Sequence, residues 1–220
     1  MEKKTVLLLG ATGLVGGHVL TRLYKNDVWS RVITLTRSPI RNTEAFSKLD
    51  ALIVDFESPA TWQDHVAADQ TICALGTTIK KAGSREAFRR VDFEYPLTIA
   101  RAALGGGCRH FLLVSAMGAD PHSRVFYNRV KGQLEAAILG LGFDRVSIFR
   151  PSLLLGDRRE FRPGEAAGQV LGRWLRFAIP RRYRPIHART VAAAMVRTAA
   201  ANPAGYRTLT SDAIAEWGTD

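Results

Sequence analysis

Thr5-Val-Leu-Leu-Leu-Gly-Ala-Thr-Gly-Leu-Val-Gly16 is the stretch that decides the fold. An apolar, strand-like run enters a glycine turn, and a helical pattern follows directly. This geometry places free backbone N–H groups at a helix N-terminus, where a pyrophosphate is bound. Gly10 permits the sharp exit from the strand. Gly13 has no side chain to obstruct the phosphates, and Gly16 lets the helix pack close to the strand. The spacing is G-x-x-G-x-x-G and departs from the G-x-G-x-x-G fingerprint. Its position after the first strand makes it a dinucleotide-binding candidate, to which Thr12 adds a hydroxyl.

Strands and helices alternate outward from this turn. Strands are expected at Thr5–Leu9, Arg31–Thr36, Ala51–Val54, Thr71–Leu75, Phe111–Ser115 and Asp144–Phe149. Helices are expected at Val15–Tyr24, Pro59–Val66 (capped by Ser58), Ser84–Gly105 (bent near Pro96) and Phe126–Leu141. The pattern then loosens. A charged loop over Gly156–Glu165 precedes helices at Ala166–Phe177 and Arg189–Ala201, a strand at Tyr206–Thr210 and a short helix at Ser211–Trp217. Apolar strands alternating with helices imply an α/β fold: a doubly wound parallel sheet of the Rossmann type. One domain over residues 1–220 is expected, with 151–220 as a small cap on the substrate side.

The 220 residues are 46% hydrophobic and 23% charged, ordinary for a globular protein. No run reaches the ~18 apolar residues of a membrane span, and the N-terminal run is too short for a signal-peptide core. Cys73 and Cys108 sit in strand-like surroundings and read as reduced core residues. A cytoplasmic protein without membrane association is the expectation. The net charge of +11 concentrates late, at Arg158, Arg159, Arg173, Arg176, Arg181, Arg182 and Arg184. No nucleic-acid-binding motif accompanies it, so nucleic acid is not the expected partner. Such a face suits a phosphorylated cofactor or an acidic substrate. No metal site is expected.

Strand two ends Leu35-Thr36-Arg37-Ser38, where an NAD site commonly carries an acid for the ribose 2′-hydroxyl. Arg37 instead offers a guanidinium where NADP carries its 2′-phosphate, so NADP(H) is favoured over NAD(H). Asp55 and Phe56 follow strand three, placed to meet the adenine through a carboxylate and a backbone N–H; Asp55 reads equally as a turn residue. Leu75-Gly76-Thr77 ends strand four, and Gly76 lets the backbone approach the cofactor.

Tyr127-Asn-Arg-Val-Lys131 puts a phenol and an ammonium on one helix face. The ammonium favours the phenolate, which makes the tyrosine usable in general acid/base chemistry. Ser115, at the end of strand five, stands where such sheets place the ligand crevice and would orient a substrate carbonyl.

With these motifs in register the chain resembles an atypical, epimerase-like short-chain dehydrogenase/reductase. More narrowly, it resembles the Tat-interacting-protein oxidoreductase family and its bacterial relatives. Gly10-Ala-Thr-Gly13, Val54-Asp-Phe-Glu57, Cys73-Ala-Leu-Gly-Thr-Thr78, Val91-Asp92, Ser115-Ala-Met-Gly-Ala-Asp120, Val130-Lys-Gly132 and Phe149-Arg-Pro151 carry the likeness. The resemblance implies Tyr127 as proton donor, Lys131 as its activator and Ser115 as partner. It also implies cofactor contacts from Thr12, Gly13, Leu14, Val15, Arg37, Leu75, Gly76, Pro151, Leu154 and Arg162. After Pro180 the likeness weakens; His187 reads as a crevice residue or, more plainly, as a helix cap.

The leading reading is an NADPH-dependent oxidoreductase acting on a small carbonyl or alcohol. One alternative is a non-catalytic NADPH-binding module, regulatory or redox-sensing, that binds a protein partner. A second is an enzyme like the nucleotide-sugar epimerases.

Overall fold

Side chains of the first strand, β1 (Lys4–Leu9), alternate between two cores, as the two-residue period of a strand requires. Val6 and Leu8 enter one apolar cluster, and Leu7 and Leu9 the other. Each such leucine buried contributes about 1.5–3 kcal/mol. The computed structural model describes residues 3–41, 46–156 and 180–219. Within them β1 lies between β2 (Trp29–Thr36) and β4 (Gln70–Cys73). β3 (Leu49–Ile53) forms one edge; β5 (His110–Val114), β6 (Arg145–Arg150) and β9 (Gly205–Thr210) extend the other side. The order is β3-β2-β1-β4-β5-β6-β9, with every pair parallel. It is a Rossmann-type sheet, as the strand pattern requires. The order reverses between β1 and β4, where such sheets open a ligand crevice at their carboxyl edge.

Helices α1 (Leu14–Tyr24), α6 (Ala188–Ala201) and α7 (Ser211–Gly218) cover the face that buries Val6 and Leu8. Helices α4 (Tyr95–Gly105) and α5 (Phe126–Leu139) cover the other. The C-terminal residues thus build part of the sheet itself, with β9 beside β6. A two-stranded sheet, β7 (Leu154–Leu155) with β8 (Ile186–His187), was not legible in the sequence. Arg162, the four arginines at 158, 159, 173 and 176, and the helix expected at Ala166–Phe177 lie outside the described residues.

Two local expectations change. Pro59–Val66 forms two short 3-10 turns, Pro59–Thr61 and Gln63–His65. Ser58 does not cap them, because its hydroxyl donates to Asp55 Oδ2 at 3.2 Å. The long segment from Ser84 breaks before Pro96. Helices α2 (Ile79–Ala82) and α3 (Arg85–Arg89) lead into a π-helical turn, Arg90–Glu94, and α4 then begins at Tyr95. Proline lacks the N–H that would bond Asp92 O, and its ring crowds that carbonyl. The chain widens instead: Tyr95 N–H bonds Arg90 O, five residues back.

Candidate active site

The glycine turn presses directly on the end of β4. Gly10 has φ +81°, and a Cβ there would stand 2.6 Å from Ala74 O. A Cβ at Gly16 would collide with Gly10 O, so helix and turn meet backbone to backbone. Gly13 N donates to Gly10 O at 2.8 Å and occupies the N-cap of α1 without a side-chain cap. The first turn of α1 carries no acid. Its leading N–H groups lack intrahelical carbonyls and carry the positive end of the helix dipole, the environment an anion seeks. Thr12 and Gly13 are exposed, Leu14 is half-buried, and Val15 and Gly16 are buried. Gly156, just after Leu154, approaches so closely that a Cβ would lie 2.8 Å from Leu14 Cδ1. Pro151 is buried at the end of β6; its carbonyl accepts from Met117 N at 2.9 Å.

Arg37 leaves the end of β2 exposed, with no hydrogen bond or ion pair among the described residues. Asp55 serves its own turn: Oδ1 accepts from Glu57 N at 3.0 Å and Oδ2 from Ser58 Oγ. Phe56 is buried and stacks on Tyr95. Leu75, Gly76 and Thr77 follow β4, and Thr77 N donates to Asp92 Oδ2 at 2.8 Å.

Ser115 follows β5 and is tied to β6 by its N–H, which donates to Phe149 O at 2.7 Å. Its hydroxyl is buried and has no hydrogen-bond partner among the described residues. Tyr127 lies half-buried in the first turn of α5, its ring 5.6 Å from that of Phe88. One turn on, Lys131 is buried, with Nζ 2.7 Å from Asp92 Oδ1. The two groups form a buried ion pair. Burial alone would push this ammonium down, but the Asp92 carboxylate and then the Tyr127 phenol hold it above the ordinary lysine value. Burial pushes the nearby Cys73 thiol up to about 11, so it stays protonated.

Asp92 is the residue that the sequence reading missed as a site group. A usable signal existed. Phe88, Asp92, Pro96, Ile99 and Ala103 form one buried helical stripe, and a carboxylate on an apolar stripe needs a partner. His187 holds the N-cap position of α6 but makes no side-chain cap bond and is exposed.

The NAD(P)H-binding family matches residues 10–139. The rat protein HTATIP2 is 43% identical over 171 residues, covering 75% of this chain and 69% of its own length. Protein fmp52 of Emericella nidulans, named mitochondrial, is 34% identical over 169 residues, 74% of this chain and 72% of that one. Among solved structures, MoeE5 in complex with UDP-glucose and NAD superimposes with a TM-score of 0.70 at 17% identity, over 93% of this chain and 75% of its own. That likeness carries the fold. The fungal name corrects the expectation of a cytoplasmic protein. Reduced cysteines and short apolar runs do not distinguish between compartments, because an organelle address is read by receptors and not by the folded core. Among the described residues no helix is long and apolar enough to cross a membrane.

Proposed function

Because this chain belongs to the NAD(P)H-binding family, we propose that it is an NADPH-dependent oxidoreductase that reduces a small carbonyl compound or oxidises the matching alcohol. The buried, unpartnered Ser115 hydroxyl carries the reading. A buried polar group without a partner is costly. The Thr34 and Thr198 hydroxyls share that state inside a strand and a helix, but Ser115 stands at the carboxyl end of β5, where such sheets hold their ligand. A substrate carbonyl oxygen would complete it.

The residues divide the work. The turn Gly10–Gly16 and the start of α1 hold the pyrophosphate, with Thr12, Leu14 and Val15 at its edge. Arg37 meets the 2′-phosphate and favours NADPH over NADH. Phe56, Leu75, Gly76, Thr77, Pro151 and Leu154 line the remaining length, and Asp55 shapes the adenine end. The bound nicotinamide supplies hydride. Ser115 donates to the substrate oxygen, and the Tyr127 hydroxyl delivers the proton to that oxygen as it gains charge. Lys131, kept charged by Asp92, stabilises the phenolate left behind.

The test is NADPH consumption against a panel of aldehydes and ketones. Tyr127→Phe is expected to lower turnover on the order of 10²–10⁴-fold while NADPH still binds. Equal turnover by Tyr127→Phe, or none by the wild type across the panel despite tight NADPH binding, rejects the proposal.

A further inference from the structure

The carboxyl ends of β2 and β3 and the start of α4 converge on a charged cluster that the proposed reaction does not use. Tyr95 stacks on Phe56, with ring centroids 5.3 Å apart and planes 22° from parallel. Its hydroxyl donates to Glu57 Oε1 at 2.5 Å. The same oxygen lies 3.4 Å from Arg90 Nη1, and the Arg90 and Glu57 side chains are 50% and 55% exposed. Burial, then the hydrogen bond to Glu57, hold the phenol up at about 12, so Tyr95 remains a neutral donor. Val54 N donates to Thr36 O at 2.8 Å, so Arg37 and Glu57 follow neighbouring strands at the same edge of the sheet. One carboxylate oxygen cannot fill the five donors of a guanidinium, so Arg90 keeps N–H groups to offer at the edge proposed for the 2′-phosphate.

We propose that Arg90 is a second guanidinium for the adenosine 2′-phosphate of NADPH, held in waiting by Glu57 and released to the phosphate on binding. The inference rests on the NADPH reading and deepens it. An exposed arginine–glutamate pair is weak, whereas a phosphate offers more charge and a bidentate geometry that guanidinium matches. Arg90 also opens the π turn Arg90–Glu94, an irregularity that recurs at functional sites. The same turn buries Asp92 against Lys131. Recognition of the phosphate and support of the lysine therefore lie two residues apart on one turn.

The experiment is titration calorimetry of the full chain with NADPH, NADH, 2′,5′-ADP and 5′-AMP. Wild type is compared with Arg90→Ala, Arg90→Gln, Arg37→Ala and Glu57→Gln. Both Arg90 variants are expected to weaken NADPH and 2′,5′-ADP about tenfold and to leave NADH and 5′-AMP within about twofold. Glu57→Gln, which frees Arg90, is expected to tighten NADPH. Arg90 variants that weaken all four ligands alike, or none, overturn the inference; if Arg37→Ala nevertheless weakens NADPH and 2′,5′-ADP while sparing NADH and 5′-AMP, the NADPH reading survives. Weaker NADPH binding by Glu57→Gln overturns the handover. Equal wild-type affinity for 2′,5′-ADP and 5′-AMP ends both.

Discussion

Lys131 Nζ lies 2.7 Å from Asp92 Oδ1, with both side chains almost fully buried. Asp92 Oδ2 accepts from Thr77 N at 2.8 Å, so one carboxylate joins the π turn, the end of β4 and helix α5. Gly76 is part of this junction: a Cβ there would stand 3.3 Å from Asp92 Oδ1 and 3.6 Å from Lys131 Nζ. Removing one partner of a buried pair leaves the other uncompensated, at a cost of about 3–5 kcal/mol. Asp92→Asn is therefore expected to destabilise the protein by that order in urea unfolding at neutral pH. Lys131 has its folded pKa raised. The pair's contribution is complete below the ordinary lysine pKa and fades only as pH climbs through the higher folded value. In Asp92→Asn the ammonium loses its counter-charge, and the alkaline limb of the activity profile should move to lower pH. An unchanged limb would reduce Asp92 to a packing residue.

Ser115 supplies a sharper separation of stability from function. Its hydroxyl is buried without a partner, so truncation removes an unsatisfied group and not a bond. Ser115→Ala is expected to be neutral to about 1 kcal/mol more stable in urea unfolding. Turnover should fall about 10²–10³-fold, the range for loss of one donor to a developing oxyanion. A clear loss of stability would mean that the hydroxyl has a structural partner, and the assignment of Ser115 to the substrate would fall.

Most of the sheet was readable because each inner strand is a short, nearly continuous apolar run bounded by polar or glycine-containing loops. Thr5–Leu9 and Arg31–Thr36 needed only their ends adjusted, to Lys4–Leu9 and Trp29–Thr36. The glycine turn was readable because backbone contact forbids side chains at Gly10 and Gly16. What escaped depends on long-range pairing. Leu154–Leu155 becomes a strand only because Ile186–His187 lies beside it. The break near Pro96 was legible, but its form as a π turn over Arg90–Glu94, with the proline acting one turn upstream, was not. Asp92 escaped because one more charge in a run with Arg85, Glu86, Arg89, Arg90 and Glu94 looks solvated until the buried stripe is traced. Arg90 escaped for the same reason.

Gly132 determines how the Ser115 loop meets the helix that carries Tyr127. A Cβ there would overlap the backbone at Asp120–Pro121, lying 2.5 Å from Asp120 N. Asp120 N donates to Asn128 O at 3.1 Å, and Gly118 lies against the Asn128 amide, so residues 115–121 are strapped along α5. Gly132→Ala must push that loop away, at about 1–3 kcal/mol of overpacking. A displacement near 1 Å between Ser115 and Tyr127 is expected to lower kcat up to about 10²-fold. The glycine turn at Gly10–Gly16 lies apart from this contact, so NADPH affinity should stay within about twofold of wild type. Parallel losses in kcat and NADPH affinity would contradict this division.

His110 makes the fold sensitive to acid at the opposite end of the sheet. Trp29 Nε1 donates to Gln70 Oε1 at 3.0 Å, and Gln70 Nε2 donates to Ala199 O at 2.8 Å and to Asn202 Oδ1 at 3.1 Å. His110 Nδ1 lies 3.0 Å from the same Asn202 oxygen, an acceptor, so Nδ1 carries the proton. Nε2 is then free to accept from Ser147 Oγ at 3.0 Å. Burial pushes the imidazole from 6.5 down to about 4. The folded state holds His110 neutral while the unfolded chain takes up a proton from about pH 6.5 downward. Its contribution is therefore present above pH 6.5 and lost as pH falls towards 4, on the order of 3 kcal/mol in all. Other groups titrate in that window, so the informative quantity is a difference. The stability gap between wild type and His110→Gln in urea should narrow by about 2 kcal/mol between pH 7 and pH 4.5. A gap that stays constant across this range would mean that the imidazole protonates alike in the folded and unfolded chains.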